Sequence, residues 1–283
     1  MKPSPEASRL LDSARGLPEG ALGVGLRILH YPYIIEHTPN VDYFEIVSEN
    51  FLGPAHTPRQ RLERVRQHYP VVLHGVGLNL LGTAALDEAY LEALCRLADE
   101  VGAPFVTDHL CWSGAHGESH HDLLPVPYVP ELVEFAAERA YEVQRRLGRP
   151  FGLENLSSYV EFRSSTLTEW EFYTSVVREA GCWSLLDVNN IYVSSQNHGF
   201  DADAYLAAID FSRVLQVHLA GHTREPDGTI VDTHDHPVAD EVWALYRRAW
   251  DMGGPFPTML EWDARLPPFP EVLAQLAKAR EIR

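Results

Sequence analysis

The stretch WSLLDV, residues 183–188, is a short apolar run that does not alternate and that closes on a carboxylate. Runs of this length, bounded by Gly, Pro and polar residues, read as strands buried on both faces of a parallel sheet. Seven more runs of the same kind flank it: ALGVGLR (21–27), DYFEIV (42–47), PVVLHG (70–75), PFVTDH (104–109), FGLEN (151–155), RVLQVHL (213–219) and PTMLEW (257–262). Amphipathic segments of helical period lie between them: RQRLERVRQHY, DEAYLEALCRLADEVG, PELVEFAAERAYEVQRRLG, LTEWEFYTSVVREAG, DADAYLAAI and DEVWALYRRAWDMGG. Several end in Gly, as helix C-termini tend to. The connection 28–41, with HYPYIIEHTP, is only a weak helix candidate.

Eight strand-like runs alternating with helices, with no Ser- or Gly-rich linker, predict an α/β chain folded as a single (β/α)8 TIM barrel. Residues 1–20 are expected to form a polar lead-in or short helix, and 21–283 the barrel. A doubly wound sheet shows the same alternation. The two differ in where reactive side chains fall, because a barrel gathers them at the C-terminal ends of many strands.

They gather there. The runs end in His74, in Asp108 and His109, in Glu154 and Asn155, in Asp187 and Asn190, in His218 and His222, and in Glu261; Glu45 lies in the second run, with Glu49 just beyond. A lone polar group at a strand end is more often a satisfied hydrogen bonder than a ligand. Successive strands all ending so point to one pocket where carboxylates need compensating cations. Imidazoles and carboxylates without cysteine suit Zn2+, Mn2+ or Fe better than a soft thiolate site. VDTHDHPVADE (231–241) follows the seventh strand, and in an extended conformation Asp232 and His234 face the same way.

The net charge of −17 disfavours nucleic acid as a partner. Cys95, Cys111 and Cys182 form no CxxC pair and leave one unpaired, which points to a reducing, cytoplasmic setting. The N-terminus lacks the apolar core of a signal peptide, and no run has the length of a membrane span, so no membrane association is expected. GVGL occurs at 23–26 and 75–78, but neither copy is a dinucleotide or P-loop motif.

The order His, His, Glu, Asp, a residue three further on, His, Asp-x-His, Glu resembles the trinuclear site of the xylose-isomerase-like barrels, including endonuclease IV. Closer still, HGVGLNL, DHLCW, LENLSSY, LLDVNNIYVSSQNHGF, HLAGH, DTHDHPV and LEWD resemble the multinuclear nonheme iron-dependent oxidative enzymes, such as the methanobactin-type and bufferin-type peptide oxidases. The resemblance runs from about residue 21 to 265. It implies two or three iron ions of mixed Fe2+/Fe3+ state, with Zn2+ or Mn2+ as substitutes, and O2 as co-substrate. The substrate it implies is a ribosomal precursor peptide modified at cysteine, often presented by a small partner protein.

Carried across by order, one metal would take Glu154, Asp187, His218 and Glu261. A second would take His74 and His109 with Glu154 bridging, and a third Asn190, Asp232 and His234. Glu154, Asp187, Asn190 and His222 are the expected catalytic residues. An amide at Asn190, where zinc phosphodiesterases have an imidazole, weakens one site. The rival enzyme reading is a zinc-dependent phosphodiesterase or nuclease on the same barrel, against which stand the negative charge and Asn190. A metal-binding module without catalysis is a third.

Weaker expectations attach to neighbours. His222 and His236 orient a ligand, touch substrate or hydrogen-bond behind the ligands, Asp108 and Glu45 are acceptors for ligating histidines, and Asn155 and Ser157 shape the loop after strand five. His116, His120 and His121 lie in a surface or lid loop. NHGF (197–200) reads as a loop over the barrel mouth, and Trp112, Tyr159, Tyr192 and Trp262 as pocket walls or core. Cys111 reads as a buried structural thiol.

Overall fold

The computed structural model describes residues 16–53, 56–115 and 118–282. Positions 1–15 of the lead-in, and His116, lie outside the described residues, as do the side chains of His120 and His121. Eight parallel strands close into a barrel: β1 (Leu22–Gly25), β2 (Tyr43–Val47), β3 (Val71–Gly75), β4 (Val106–His109), β5 (Phe151–Glu154), β6 (Trp183–Asp187), β7 (Val214–Leu219) and β8 (Thr258–Leu260). Each strand pairs with its sequence neighbours, and β8 closes on β1 through Leu22↔Thr258, Gly23↔Met259 and Val24↔Leu260. The doubly wound alternative is thereby excluded.

The helices are α1 (Tyr31–His37), α2 (Glu49–Leu52), α3 (His56–Arg66), α4 (Glu88–Val101), α5 (Pro130–Leu147), α6 (Glu169–Ala180), α7 (Val188–His198), α8 (Ala202–Ala208), α9 (Asp240–Gly253) and α10 (Phe269–Ile282). Local chemistry sets their ends. Asp87 caps α4 by accepting from the amides of Ala89 and Tyr90, and Gly102 closes it in the left-handed region. A Thr168–Glu171 capping box opens α6, and Gly181 ends it.

Alternation along each strand separates two cores. One set of side chains, including Leu22, Phe44, Leu73, Val106 and Leu153, packs outward against the helices. The other faces the barrel axis, where Ala21, Tyr43, Val72, Phe105, Leu215 and Met259 form an apolar floor joined by Leu17. The Tyr43 ring occupies the space opposite Gly23, where an added Cβ would lie 2.4 Å from it.

Four segments depart from the sequence reading. The weak candidate at 28–41 is a helix, α1, entered through a 3-10 turn at Ile28–His30. Helix α7 was not expected, since Val, Asn, Ile and Ser are mediocre helix formers. It forms because Asp187 caps it and Val188, Ile191 and Val193 are buried. NHGF is accordingly the end of α7, with Gly199 as its left-handed cap, and not a free loop. The segment after β4 is an antiparallel hairpin, Trp112–Ala115 with Glu118–Leu124, and not an irregular loop.

Candidate metal centre

Two residues above the floor, the inward positions change from apolar to ionisable. On β2 the step is Tyr43 to Glu45, on β3 Val72 to His74, on β6 Leu185 to Asp187, and from β8 onward Met259 to Glu261. His109, Glu154 and His218 complete the rung, and all of these side chains are buried.

Glu154 is the hub. Its Oε2 lies 3.3 Å from the Nε2 atoms of both His74 and His109 and 3.9 Å from His218 Nδ1. On the other side, Glu261 Oε2 lies 3.3 Å from His218 Nδ1 and 3.3 Å from His234 Nδ1. Four overlapping donor groups result: His74–His109–Glu154, Glu45–His218–Glu261, Glu154–Asp187–His218 and Asp187–His234–Glu261, each with its donor atoms within 4.8 Å of one another.

The far side of each imidazole is fixed from behind. His74 Nδ1 is 2.9 Å from Thr107 Oγ1, His109 Nδ1 donates to the Gly75 carbonyl at 3.1 Å, and His218 Nε2 donates to Glu45 Oε2 at 3.2 Å. Gln216 also donates to that Glu45 oxygen, at 2.8 Å. Such partners select the tautomer that leaves the inward nitrogen free. Glu45 therefore stands behind His218 as expected. Asp108 does not play that part: it accepts from the backbone amides of His109 and Leu78 instead.

Among the described residues, Glu154 Oε2, Asp187 Oδ2, Asn190 Oδ1 and His218 Nδ1 are buried without hydrogen-bond partners. Buried polar atoms are seldom left so. Four such oxygen and nitrogen donors gathered at the barrel mouth fit a set of cations.

The titrations carry the same strain. Burial, with the His109 and His218 rings nearby, holds His74 well below the usual imidazole range, and burial takes His109 down to about 4. Burial raises the Glu154 carboxyl, and burial together with Asp232 pushes Asp187 up to about 7. Burial works against charge on His218 and His234, but Glu45, Asp232 and Glu261 outweigh it and raise both.

His234 and Asp232 do meet, at 2.7 Å, but not as an extended pair. His234 has φ +47°, its amide bound to the Gly221 carbonyl and its carbonyl to the Asp263 amide. Gly221 permits this approach, because a Cβ there would lie 2.0 Å from the His236 carbonyl. Asp232 accepts from Asn189 Nδ2 at 2.6 Å and from Ser157 Oγ at 3.2 Å. Asn190 donates to Glu154 Oε1 at 3.2 Å and to the Asn155 carbonyl at 3.0 Å.

His222 stands outside the donor rung. Its Nδ1 is 2.8 Å from Asn189 Oδ1, and it reaches Asp232 only through that amide. His236 pairs with Asp235. Asn155 ties β5 to β6, exchanging hydrogen bonds with the Asp187 amide and carbonyl. Arg27, Asp263 and Asn189 escaped the sequence reading. Arg27 bonds both Glu261, at 3.4 Å, and Asp263, bringing a fixed cation to an acidic rim. Its position two residues beyond β1 was the available signal.

The donors open into a cavity of about 230 Å³ whose apolar wall is Val47, Val76, Leu123 and Leu156. Trp112, Tyr159, Tyr192 and Trp262 do not line it. Cys111 is fully buried, as expected for a structural thiol, and burial raises it. Among the described residues no helix is long and apolar enough to cross a membrane.

Among solved structures, a D-tagatose 3-epimerase-like protein superposes with a TM-score of 0.60 at 17% identity, over 93% of this chain and 95% of that one. Endonuclease IV from Thermus thermophilus gives 0.58 at 20% identity, over 92% and 99%. At such identities the likeness establishes the barrel alone. In sequence, a UPF0276 protein of Rhizorhabdus wittichii is 46% identical over 269 residues, covering 94% of this chain and 96% of its own. One from Caulobacter vibrioides is 44% identical over 264 residues, covering 93% and 94%. The profile of the RiPP precursor modification enzymes MbnB/TglH/ChrH matches residues 21–283. With that span matched and the donor rung in place, the chain belongs to the MbnB/TglH/ChrH family of RiPP precursor modification enzymes.

Proposed function

We propose that the protein is an O2-dependent oxidase that holds two or three iron ions in the barrel mouth and modifies a ribosomally made peptide at cysteine. The observation that carries this reading is the unpartnered Glu154 Oε2, equidistant from two inward histidine nitrogens and shared with the Asp187–His218 group. A carboxylate so placed suits a bridge between two cations. The family supports a peptide substrate, and a small presenting protein and a cytoplasmic setting belong to the same proposal.

When bound, iron would supply the electrons for O2 reduction and a Lewis-acidic position for a thiolate. The protein's own contribution is positional. Thr107, the Gly75 carbonyl and Glu45 fix three imidazole rings, and Asn190 fixes the Glu154 carboxylate. Val47, Val76, Leu123 and Leu156 keep the entry apolar, which limits water around a reactive sulfur. His222 is a positioning residue, orienting Asp232 through Asn189.

Anaerobic reconstitution with Fe2+, followed by O2 and a cysteine-containing precursor peptide, tests this directly. Ferric or mixed-valence absorption, O2 uptake and a mass change at cysteine are the expected results. Full occupancy by zinc together with nicking of abasic DNA would overturn the proposal.

A further inference from the structure

A second and larger cavity, about 620 Å³, lies beside the metal cavity. Neighbouring residues of the chain line the two. Ser157 and Leu123 line the first, Ser158 and Pro125 the second. Each pair lies within one or two positions along the chain, so an extended peptide with one residue at the metal centre passes the second opening within a few residues.

The second cavity is walled by the aromatic rings of Tyr128, Trp170 and Phe200, the last two packed with centroids 5.2 Å apart. Glu169 lines the same cavity, and its Oε1 is buried without a hydrogen-bond partner among the described residues. The residue as a whole is half-buried, and burial pushes its carboxyl group up to about 8 against the opposing pull of the Tyr205 and Ser158 hydroxyls. The rim carries one charge of each sign, Glu161 and Arg163, both exposed, and the His198 imidazole, 2.8 Å from Ser158 Oγ, lines the cavity beside Glu169.

A buried carboxyl group in an aromatic-walled cavity is the arrangement that an ammonium or guanidinium group completes. On binding, the cation displaces the proton that the buried carboxyl group holds and becomes its counter-ion, and the rings attract the cation through their quadrupoles. Glu169 neither lines the metal cavity nor stands in any of the four donor groups. We infer that this cavity takes a lysine or arginine side chain of the peptide whose cysteine enters the metal cavity, and so sets which peptides are accepted. The inference rests on the peptide-oxidase reading for the identity of the occupant, but the preference for a basic side chain does not.

Ligand-detected NMR titrations of the full chain with acetyl-lysine methylamide and its uncharged isostere acetyl-norleucine methylamide test the preference. The lysine probe is expected to bind at least about tenfold more tightly. Glu169→Gln is expected to erase that difference while its iron content stays at the wild-type ratio and its thermal unfolding remains cooperative. Equal affinities in the wild-type protein, which need no variant to measure, would overturn the assignment, as would a lysine preference that survives in Glu169→Gln. A lysine preference in a protein that neither loads iron nor alters a peptide would sink the oxidase reading and leave the cavity assignment standing. Iron loading and cysteine oxidation without a lysine preference would do the reverse.

Discussion

Glu45 Oε2 sits 3.2 Å from His218 Nε2, on the face of the ring turned away from Glu154 and Glu261. The carboxylate thereby fixes the tautomer and raises the basicity of Nδ1, the atom that faces the donor rung. Glu45→Gln should lower affinity for the cation held by His218 about 10- to 100-fold. Competition with a chelator of known affinity measures this. Unchanged affinity would mean that the charge on Glu45 does not set the tautomer or basicity of His218.

Glu154 stands in two of the donor groups at once. Glu154→Ala is therefore expected to reduce the metal-to-protein ratio by more than one ion, as read by elemental analysis. Loss of a single ion would show that the carboxylate does not bridge.

Metal uptake should strengthen with rising pH and release protons. Asp187, pushed up to about 7 by burial and by Asp232, and Glu154, raised by burial, hold protons in the metal-free state that a cation must displace. His109, down at about 4, is already deprotonated and adds nothing at neutral pH. Titrating zinc into weakly buffered protein should release more protons at pH 6 than at pH 8.5. Equal release at both values would contradict the raised acids.

Glu169 predicts a stability slope of opposite sense to that of a salt-bridged acid. Its folded value of about 8 lies above the ordinary carboxyl range, so between about pH 4.5 and 8 the unfolded chain is ionised while the folded one holds its proton. Stability is favoured below that window and declines through it, by at most about 1.4 kcal/mol per pH unit for one proton. Denaturant midpoints at pH 5.5 and 8 should fall for the wild type relative to Glu169→Gln. Parallel behaviour of the two proteins would refute the buried acid.

Gly221→Ala should destabilise by about 1–3 kcal/mol, because the new methyl group meets the His236 carbonyl and the backbone must move apart. The same movement pulls His234 from the rung, so metal content should drop with stability. A variant of normal stability and normal metal content would show that the turn yields easily.

The barrel and the rung were legible for one reason: the strands are short and buried, and those from β3 to β8 end on or next to an ionisable residue. Asp187 shows the limit. Its carboxylate was readable as a donor, but its second duty, capping α7, was not, because VNNIYVSSQNH has no strong helical signal until the cap and the burial of Ile191 are known. His234 shows another. The spacing to Asp232 suggested an extended pair, whereas contacts from Gly221 and Asp263 force a left-handed turn that only the closed barrel supplies. Arg27 reaches Asp263 across 236 positions, and no local pattern announces that partnership.

In the floor, Tyr43, Val72 and Met259 lie one pleat below Glu45, His74 and Glu261. Closure of the cylinder and reactivity of its mouth are thus stacked storeys of one building, with separate tenants. Substitutions upstairs can trade one ion or one reaction for another while the ground storey keeps the walls standing, which lets a single scaffold diversify its chemistry without relearning how to fold.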